Sequence, residues 1–409
     1  MEQILYKLPD EWEWRTFNDV CTNITDGAHA SPKAVEEGFP YVTVRDVNNK
    51  GQIDIINCKR ISEEDFLSLK KGNCLPPVGS VLLSKDGTVG KVAHVTNDYN
   101  EFVVLSSLAI IVPEQTTLSP EYLKYFLLSP EFQDHAISSK TGAAIKRIVL
   151  RTIKNFNIPI PSLEQQKRIV EKLDALLTRI DTAIEHLQES VTLADALFES
   201  SQSEIFNDVL SNYQHSTIDE ICIVTSSKRI FKADYVESGI PFYRTKEIVD
   251  LSKDKNISTE LFIDKEKFSE ICGKFGAPKK GDLLFSAVGT IGVMWIVDER
   301  EFYFKDGNLL WLKEMNGVTP EYLKSAISAV LTEKIKDRSQ GAAYKAISIT
   351  NLKAFEIPLP SIEEQKSIVA KIEHVSSVTK KTKQELSLQI NDLHKLKASI
   401  LDSAFKGEL

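Results

Sequence analysis

Cationic side chains gather in two stretches of this sequence, and each stretch excludes carboxylates. Between Asp134 and Glu164 the chain carries Lys140, Lys146, Arg147, Arg151 and Lys154 and no acid. From Arg338 to Phe355 it carries Arg338, Lys345 and Lys353, again with no acid. A local surplus of ammonium and guanidinium groups attracts a polyanion, and nucleic acid is the polyanion such patches serve. Each stretch contains a Gly-Ala-Ala run, at 142–144 and 341–343. Small side chains there let backbone amides approach a phosphate. Further donors sit upstream: Arg45, Lys85 and Thr88 in the first half, and Lys228, Arg229, Arg244, Lys246 and Thr290 in the second, of which Thr88 and Thr290 match and Arg45 roughly matches Lys246. With Lys140, Lys146, Arg147, Arg151, Arg338, Tyr344 and Lys345 these are the candidate DNA contacts. The alternative is a merely solvated surface, and recurrence at the same place in both halves weighs against it.

Chemistry of the catalytic kind has no comparable signal. The sequence has no G-x-x-x-x-G-K-[ST] phosphate loop and no glycine-rich strand–turn–helix fingerprint. Its seven histidines show neither H-E-x-x-H nor H-x-H spacing. Five scattered cysteines (Cys21, Cys58, Cys74, Cys222, Cys272) form no C-x-x-C pair, so a disulfide framework or zinc knuckle is not indicated. Cys21 and Cys222 occupy equivalent places and read as small apolar fillers. No apolar run reaches the ~18 residues of a membrane span, and the N-terminus lacks a basic-then-apolar leader; a cytoplasmic location is expected. The net charge of −8 requires that any DNA-facing positive charge be local. Residues 162–206 hold nine acids against four bases, so part of that negative charge belongs to a segment that need not touch DNA.

The elements that must position these groups occur twice. IPIPSLEQQKRIVEKL at 158–173 answers IPLPSIEEQKSIVAKI at 357–372, with ten of sixteen positions identical. SPEYLK at 119–124 answers TPEYLK at 319–324, GSVLLSKDGTVG at 79–90 answers GDLLFSAVGTIG at 281–292, and GFPYVTVRDV at 38–47 answers GIPFYRTKEI at 239–248. The order holds and the offsets stay between 199 and 202, so the chain is a tandem duplication of domain-sized halves. Each half begins with short β-rich runs split by turn residues. Each then passes a Pro-x-Pro-Ser hinge, where Ser162 and Ser361 cap a helix with Gln165 and Glu364 in capping-box positions. Residues 163–206 contain no Gly or Pro, and apolar or small residues recur in steps of three and four from Ile169 through Leu173, Leu176, Ile180, Ile184, Leu187, Val191, Ala194, Phe198 and Ser201 to Ile205. The second copy keeps a similar stripe but places Thr379 and Lys383 on it. Either both are amphipathic core helices of separate domains, or they pack against each other, antiparallel; their length favours the second.

These motifs resemble the specificity (S) subunit of type I restriction-modification systems. The resemblance rests on LPDEWEWRTFNDVC with ITDGAH, on the paired PIPSLEQQKRIV and PLPSIEEQKSIV hinges, and on the GTVG and GTIG turns, and it covers essentially the whole chain. It implies an α+β fold: two β-rich target-recognition domains, residues 1–157 and 211–356, and two hinge-plus-helix segments, 158–210 and 357–409, paired as an antiparallel coiled coil. It implies a non-catalytic subunit that reads a bipartite double-stranded DNA target, one half per domain. It further implies two methyltransferase (M) subunits and restriction (R) subunits as partners, which would hold S-adenosylmethionine, ATP and Mg²⁺, with no cofactor on this chain. Gln165, Gln166 and Lys167, with Gln365 and Lys366, lie at equivalent places in the two halves and are the candidate partner-binding residues. A specificity subunit of a fused restriction–methylation enzyme and a scaffold without a DNA role are the competing readings. Divergence between the halves falls at Lys85 and Asp86, which become Ala287 and Val288, and at Arg147, which becomes Ala346.

Overall fold

The computed structural model describes residue 3 and residues 5–138, 147–337 and 346–409. The chain divides into two compact units, residues 1–189 with 386–409 and residues 190–385. In chain order the first unit contains β1 (Glu13–Thr16), α1 (Phe17–Val20), β2 (Cys21–Asp26), β3 (Phe39–Val42), β4 (Lys59–Ile61), α2 (Glu63–Lys71), β5 (Val81–Ser84), β6 (Val92–His94), β7 (Val103–Val104), β8 (Leu108–Pro113), α3 (Pro120–Leu128), α4 (Pro130–Ser138), α5 (Leu150–Lys154) and β9 (Asn157–Ile160). The long helix α6 (Leu163–Asn212) follows.

Strands β2, β8, β5 and β6 form an antiparallel sheet in that order. A smaller sheet, β4–β3–β7, joins β3 and β7 in parallel. All four residues of β5 are buried, because its two faces fill two cores. Val81 and Leu83 pack in the cluster of Tyr122 and Phe126, while Leu82 faces Val42, Phe102 and Val104. A strand covered on both sides reads as a continuous apolar run, VLLS, instead of an alternation. Ser119 caps α3, its Oγ accepting from Tyr122 N at 3.1 Å, and Pro120 fills the first turn.

The second unit repeats this plan. It contains β10 (His215–Thr217), α7 (Ile218–Ile221), β11 (Ile223–Thr225), β12 (Tyr235–Val236), β13 (Ile240–Tyr243), α8 (Thr245–Leu251), β14 (Phe262–Ile263), α9 (Lys265–Phe275), β15 (Leu283–Ser286), β16 (Met294–Ile296), β17 (Tyr303–Phe304), β18 (Leu309–Lys313), α10 (Pro320–Asp337), α11 (Ile349–Lys353) and β19 (Glu356–Pro358), before the last helix α12 (Ile362–Lys406). Its main sheet, β11–β18–β15–β16, has the connectivity of β2–β8–β5–β6. Its small sheet again joins two strands, β13 and β17, in parallel.

The first strand of each half pairs with the last. β1 runs antiparallel to β9, with Glu13 opposite Ile160, and β10 runs antiparallel to β19, with His215 opposite Pro358. Boundaries expected at 157 and 356 therefore cut through β9 and β19. These closing strands belong with the domains they seal, not with the hinges.

Helix α6 is 50 residues long and α12 is 45, roughly 75 and 68 Å at 1.5 Å per residue. The division between units falls inside both helices. In the first unit Leu173, Leu177, Ile180 and Ile184 of α6 share a core with Leu401, Ala404 and Phe405 of α12. There Lys397 Nζ donates to Asp181 Oδ1 at 2.7 Å. In the second unit Phe206 and Val209 share a core with Ile368 and Ile372. Lys383 Nζ donates to Asp195 Oδ1 at 2.6 Å, and Tyr213, just past α6, donates its OH to Glu364 near the start of α12 at 2.9 Å. Later residues of one helix thus meet earlier residues of the other, so the pairing is antiparallel. The expected stripe lies on the seam: Ile169, Leu173, Ile180 and Ile184 are buried, and Leu176, Leu187, Val191, Ala194, Phe198, Ser201 and Ile205 are half-buried, with Leu177 buried beside Leu176. Lys383 is tolerated on that stripe because Asp195 meets its ammonium.

Candidate nucleic-acid interface

The chain leaving β5 makes a tight turn, Gly87-Thr88-Val89-Gly90. Gly87 and Gly90 hold positive φ, +71° and +101°, a region a Cβ disfavours. Ser84 locks the turn from beneath: its Oγ donates to Thr88 O at 2.6 Å and accepts from Lys91 N at 2.7 Å. Gly87 and Thr88 are left exposed at the tip. The copy after β15 is built alike, with Gly289 and Gly292 at +79° and +87° and Thr290 exposed.

Each turn is attached to the basic stretch of its own half. Asp86 and Arg147 form an antiparallel bridge, and Ile148 N donates to Lys85 O at 2.9 Å. In the second unit Val288 bridges Ala346, and Ile347 N donates to Ala287 O at 2.9 Å. Upstream of the first stretch, Gln133 of α4 donates its Nε2 to Gly90 O at 2.9 Å. Gln133 just before the acid-free run and Arg147 and Ile148 within it therefore reach one turn and its flank. The loop holding Arg45 joins them, because Lys91 Nζ donates to Val44 O at 3.2 Å and also to Val47 O. Arg45, Thr88, Arg147 and Arg151 are all exposed.

Other expected contacts stand differently. Lys140, Lys146, Arg338, Tyr344, Lys345 and both Gly-Ala-Ala runs lie outside the described residues. Lys85 is not an outstretched cation: its side chain is 8% exposed and lies between Asp26 and Asp86, at 3.4 and 3.3 Å. Arg244 is tied to Glu247 at 2.8 Å and to Glu260 at 3.2 Å. Those carboxylates hold its charge in place and partly neutralise it. Arg229 pairs with Asp306 at 3.0 Å. Lys228 lies over the Phe275 ring at 5.0 Å, and Lys246 is exposed at the start of α8. Asp86 was flagged only as a point of divergence and Asp26 not at all, since a search for positive charge passes over acids.

At the hinges the capping boxes form as expected. Ser162 N donates to Gln165 Oε1 at 3.2 Å and Ser361 N to Glu364 Oε2 at 2.9 Å. Gln166 and Gln365 correct the expectation of a partner-facing surface, for both are wholly buried. Gln166 Oε1 accepts from Ser119 N at 2.9 Å, while its Nε2 donates to Thr117 O at 2.8 Å and Pro161 O at 3.0 Å. Gln365 does the same with Thr319 N, Gly317 O and Pro360 O, at 2.8, 2.8 and 3.0 Å. Each glutamine stitches its hinge to the N-terminal cap of α3 or α10. Lys167 and Lys366 beside them are exposed.

Burial pushes the thiols of Cys21 and Cys222 up to about 12, so neither is a thiolate nucleophile at neutral pH. Among the described residues no group of His, Cys, Asp and Glu is arranged to hold a metal ion, and no helix is long and apolar enough to cross a membrane.

Two copies of one turn-and-basic-segment platform, each on a closed domain beside a long helix, define a duplicated DNA-specificity architecture. The profile of the type I restriction modification DNA specificity domain matches residues 9–193 and again 211–391, and the chain belongs to this family. The EcoBI specificity subunit of a type I restriction enzyme from Escherichia coli is 24% identical over 451 residues, spanning 99% of this chain and 88% of its own. A putative type I restriction enzyme specificity subunit from Haemophilus influenzae is 27% identical over 400 residues, 94% of this chain and 93% of its own. In fold the chain is similar to a chain from a type I R-M system, with a TM-score of 0.76, 21% identity, and coverage of 99% and 100%. It is also similar to the HsdS subunit of Thermoanaerobacter tengcongensis, with a TM-score of 0.57, 22% identity and 99% of each chain covered.

Proposed function

We propose that this chain is the non-catalytic reader of a type I restriction-modification complex. Each domain reads one half of a split double-stranded DNA target and directs methyltransferase and restriction subunits to it. The observation that carries this reading is one platform built twice with different side chains on it. The turn, its two positive-φ glycines and its bridge to the basic stretch recur. Lys85, Asp86 and Arg147 give way to Ala287, Val288 and Ala346. A kept frame with changed contacts suits two different half-sites. S-adenosylmethionine, ATP and Mg²⁺ belong, in this reading, to the partner subunits. The hinge surfaces around Gln165, Lys167 and Lys366 are equivalent in the two halves, so they would take two equivalent methyltransferase subunits.

The test is DNA binding by the chain assembled with its methyltransferase subunits, measured across salt concentrations. Lys146→Ala with Arg147→Ala should weaken binding and flatten the salt dependence by roughly one unit of slope per lost phosphate contact. An unchanged slope removes these residues from the interface. No DNA binding by the assembled parent would favour a scaffold.

A further inference from the structure

Two carboxylates meet beside the turn that follows β5 and the bridge to Arg147. Asp26 ends β2 and Asp86 follows β5, with the Lys85 ammonium between them at 3.4 and 3.3 Å. His29 Nε2 lies 3.7 Å from the same Asp26 oxygen. One buried cation therefore faces two carboxylates. Each carboxylate keeps a second oxygen, Asp26 Oδ1 and Asp86 Oδ1, that is buried and has no hydrogen-bond partner. Ser107, whose carbonyl accepts from Lys85 N at 2.9 Å, also has a buried hydroxyl without a partner. Orphaned acceptors are rare in folded proteins because leaving them unmade is costly. Burial raises the Asp26 carboxyl above its ordinary range, with Lys85 pulling it back down, as expected of a charge short of donors.

The missing partner must be a donor. A phosphate offers only acceptors and carries the same sign of charge. In a DNA major groove the donors are the exocyclic amino groups, cytosine N4 and adenine N6, and carboxylates accept from the former in known recognition chemistry. The neighbouring acceptors on the same pair, guanine O6 and N7 or adenine N7, suit the Lys85 ammonium, which has three donors. The carboxylate side chains are 17% and 25% exposed, and the torsion that turns a carboxylate is soft. The exposed Thr88 and Arg147 border the cluster. In the second unit Ala287 and Val288 stand where Lys85 and Asp86 do. We propose that Asp26, Lys85 and Asp86 form the base-reading centre of the first domain and recognise an exocyclic amino group in the major groove. This rests on the chain being a DNA reader.

The experiment selects a random-sequence duplex library with the full chain assembled with its methyltransferase subunits. It compares the parent with Asp26→Asn, Asp86→Asn and the double variant Lys85→Ala/Asp86→Val, which copies the apolar pair of the second unit. The parent should require cytosine or adenine at one position of one half-site. The variants should lower that preference by roughly 5- to 150-fold and leave the other half-site unchanged. Placing 2-pyrimidinone for cytosine, or purine for adenine, in the selected duplex removes only the amino group and identifies which base supplies it. That duplex should bind the parent more weakly by the same factor and leave the variants indifferent. Folded variants that select as the parent does, variants altered in both half-sites, or failure of all three to fold would each overturn the proposal and leave the cluster a buried structural charge. A parent that selects no sequence would instead overturn the DNA-reading function, a result visible without any variant.

Discussion

Gln166 has every hydrogen-bonding atom of its amide engaged inside the protein, joining Pro161 of the hinge to Thr117 and Ser119 at the cap of α3. Truncation would leave the buried Pro161 carbonyl and the half-buried Thr117 carbonyl and Ser119 N–H without this partner, at up to about 1–3 kcal/mol each before relaxation. Gln166→Ala should therefore cost about 3 kcal/mol, whereas Gln165→Ala, which removes an exposed capping contact, should cost about 0.5–1 kcal/mol. Urea unfolding of the two variants beside the parent checks this, and equal losses would deny the stitch. The sequence flags both glutamines by repetition, yet repetition does not separate an inward side chain from an outward one. The helical period does: Gln166, Ile169 and Leu173 step by three and four, as do Gln365, Ile368 and Ile372, which places each glutamine on its buried stripe. Asp86 adjoins Lys85 and differs from Val288 of the second half, but Asp26 had no such signal, because only the fold brings the end of β2 to Lys85.

Elements of long period were legible and those of short period were not. Helices α6 and α12 announce themselves by 3–4 spacing without Gly or Pro, and their seam falls on the expected residues. The sheet order was hidden, because strands buried on both faces, such as β5, lose the alternation that would orient them. The strand pairs β1–β9 and β10–β19 join segments more than a hundred residues apart, and nothing local encodes them. Within the helix pair, apolar burial outweighs the charges. Ile184 is buried, while Asp181 and its partner Lys397 keep 43% and 30% of their side chains exposed. Ile184→Ala should cost about 2–4 kcal/mol, and Asp181→Ala less than about 1 kcal/mol. Thermal unfolding of both variants would reverse this view of the seam if the aspartate proved the costlier loss.

For the molecule as a whole, α6 and α12 each pass from one compact unit into the other. If helix length sets the distance between half-sites, one heptad inserted after Leu187 and another after Leu386 should keep the seam in register. It would add roughly 10 Å of helix, or about three base pairs at ~3.4 Å each. Methylation mapping should then show both half-sites unchanged and a longer unread spacer; an active variant with the parental spacer would remove the helices as the ruler. Inserting three or five residues in one helix alone should destabilise the protein. Exchanging the second domain for a relative's must carry β10 and β19 together, from residue 213 to residue 360, and should alter one half of the methylated sequence only. Retention of both halves after such an exchange would deny modular reading.

The strand closure has a mechanical consequence. The backbone enters and leaves the second domain beside His215 and Pro358, which are opposite partners in one antiparallel pair. Force applied there peels the hydrogen bonds in succession instead of shearing them all at once. The β10–β19 pair would therefore open in steps, once the Gln365 stitch and the core around Phe206, Val209, Ile368 and Ile372 had given way.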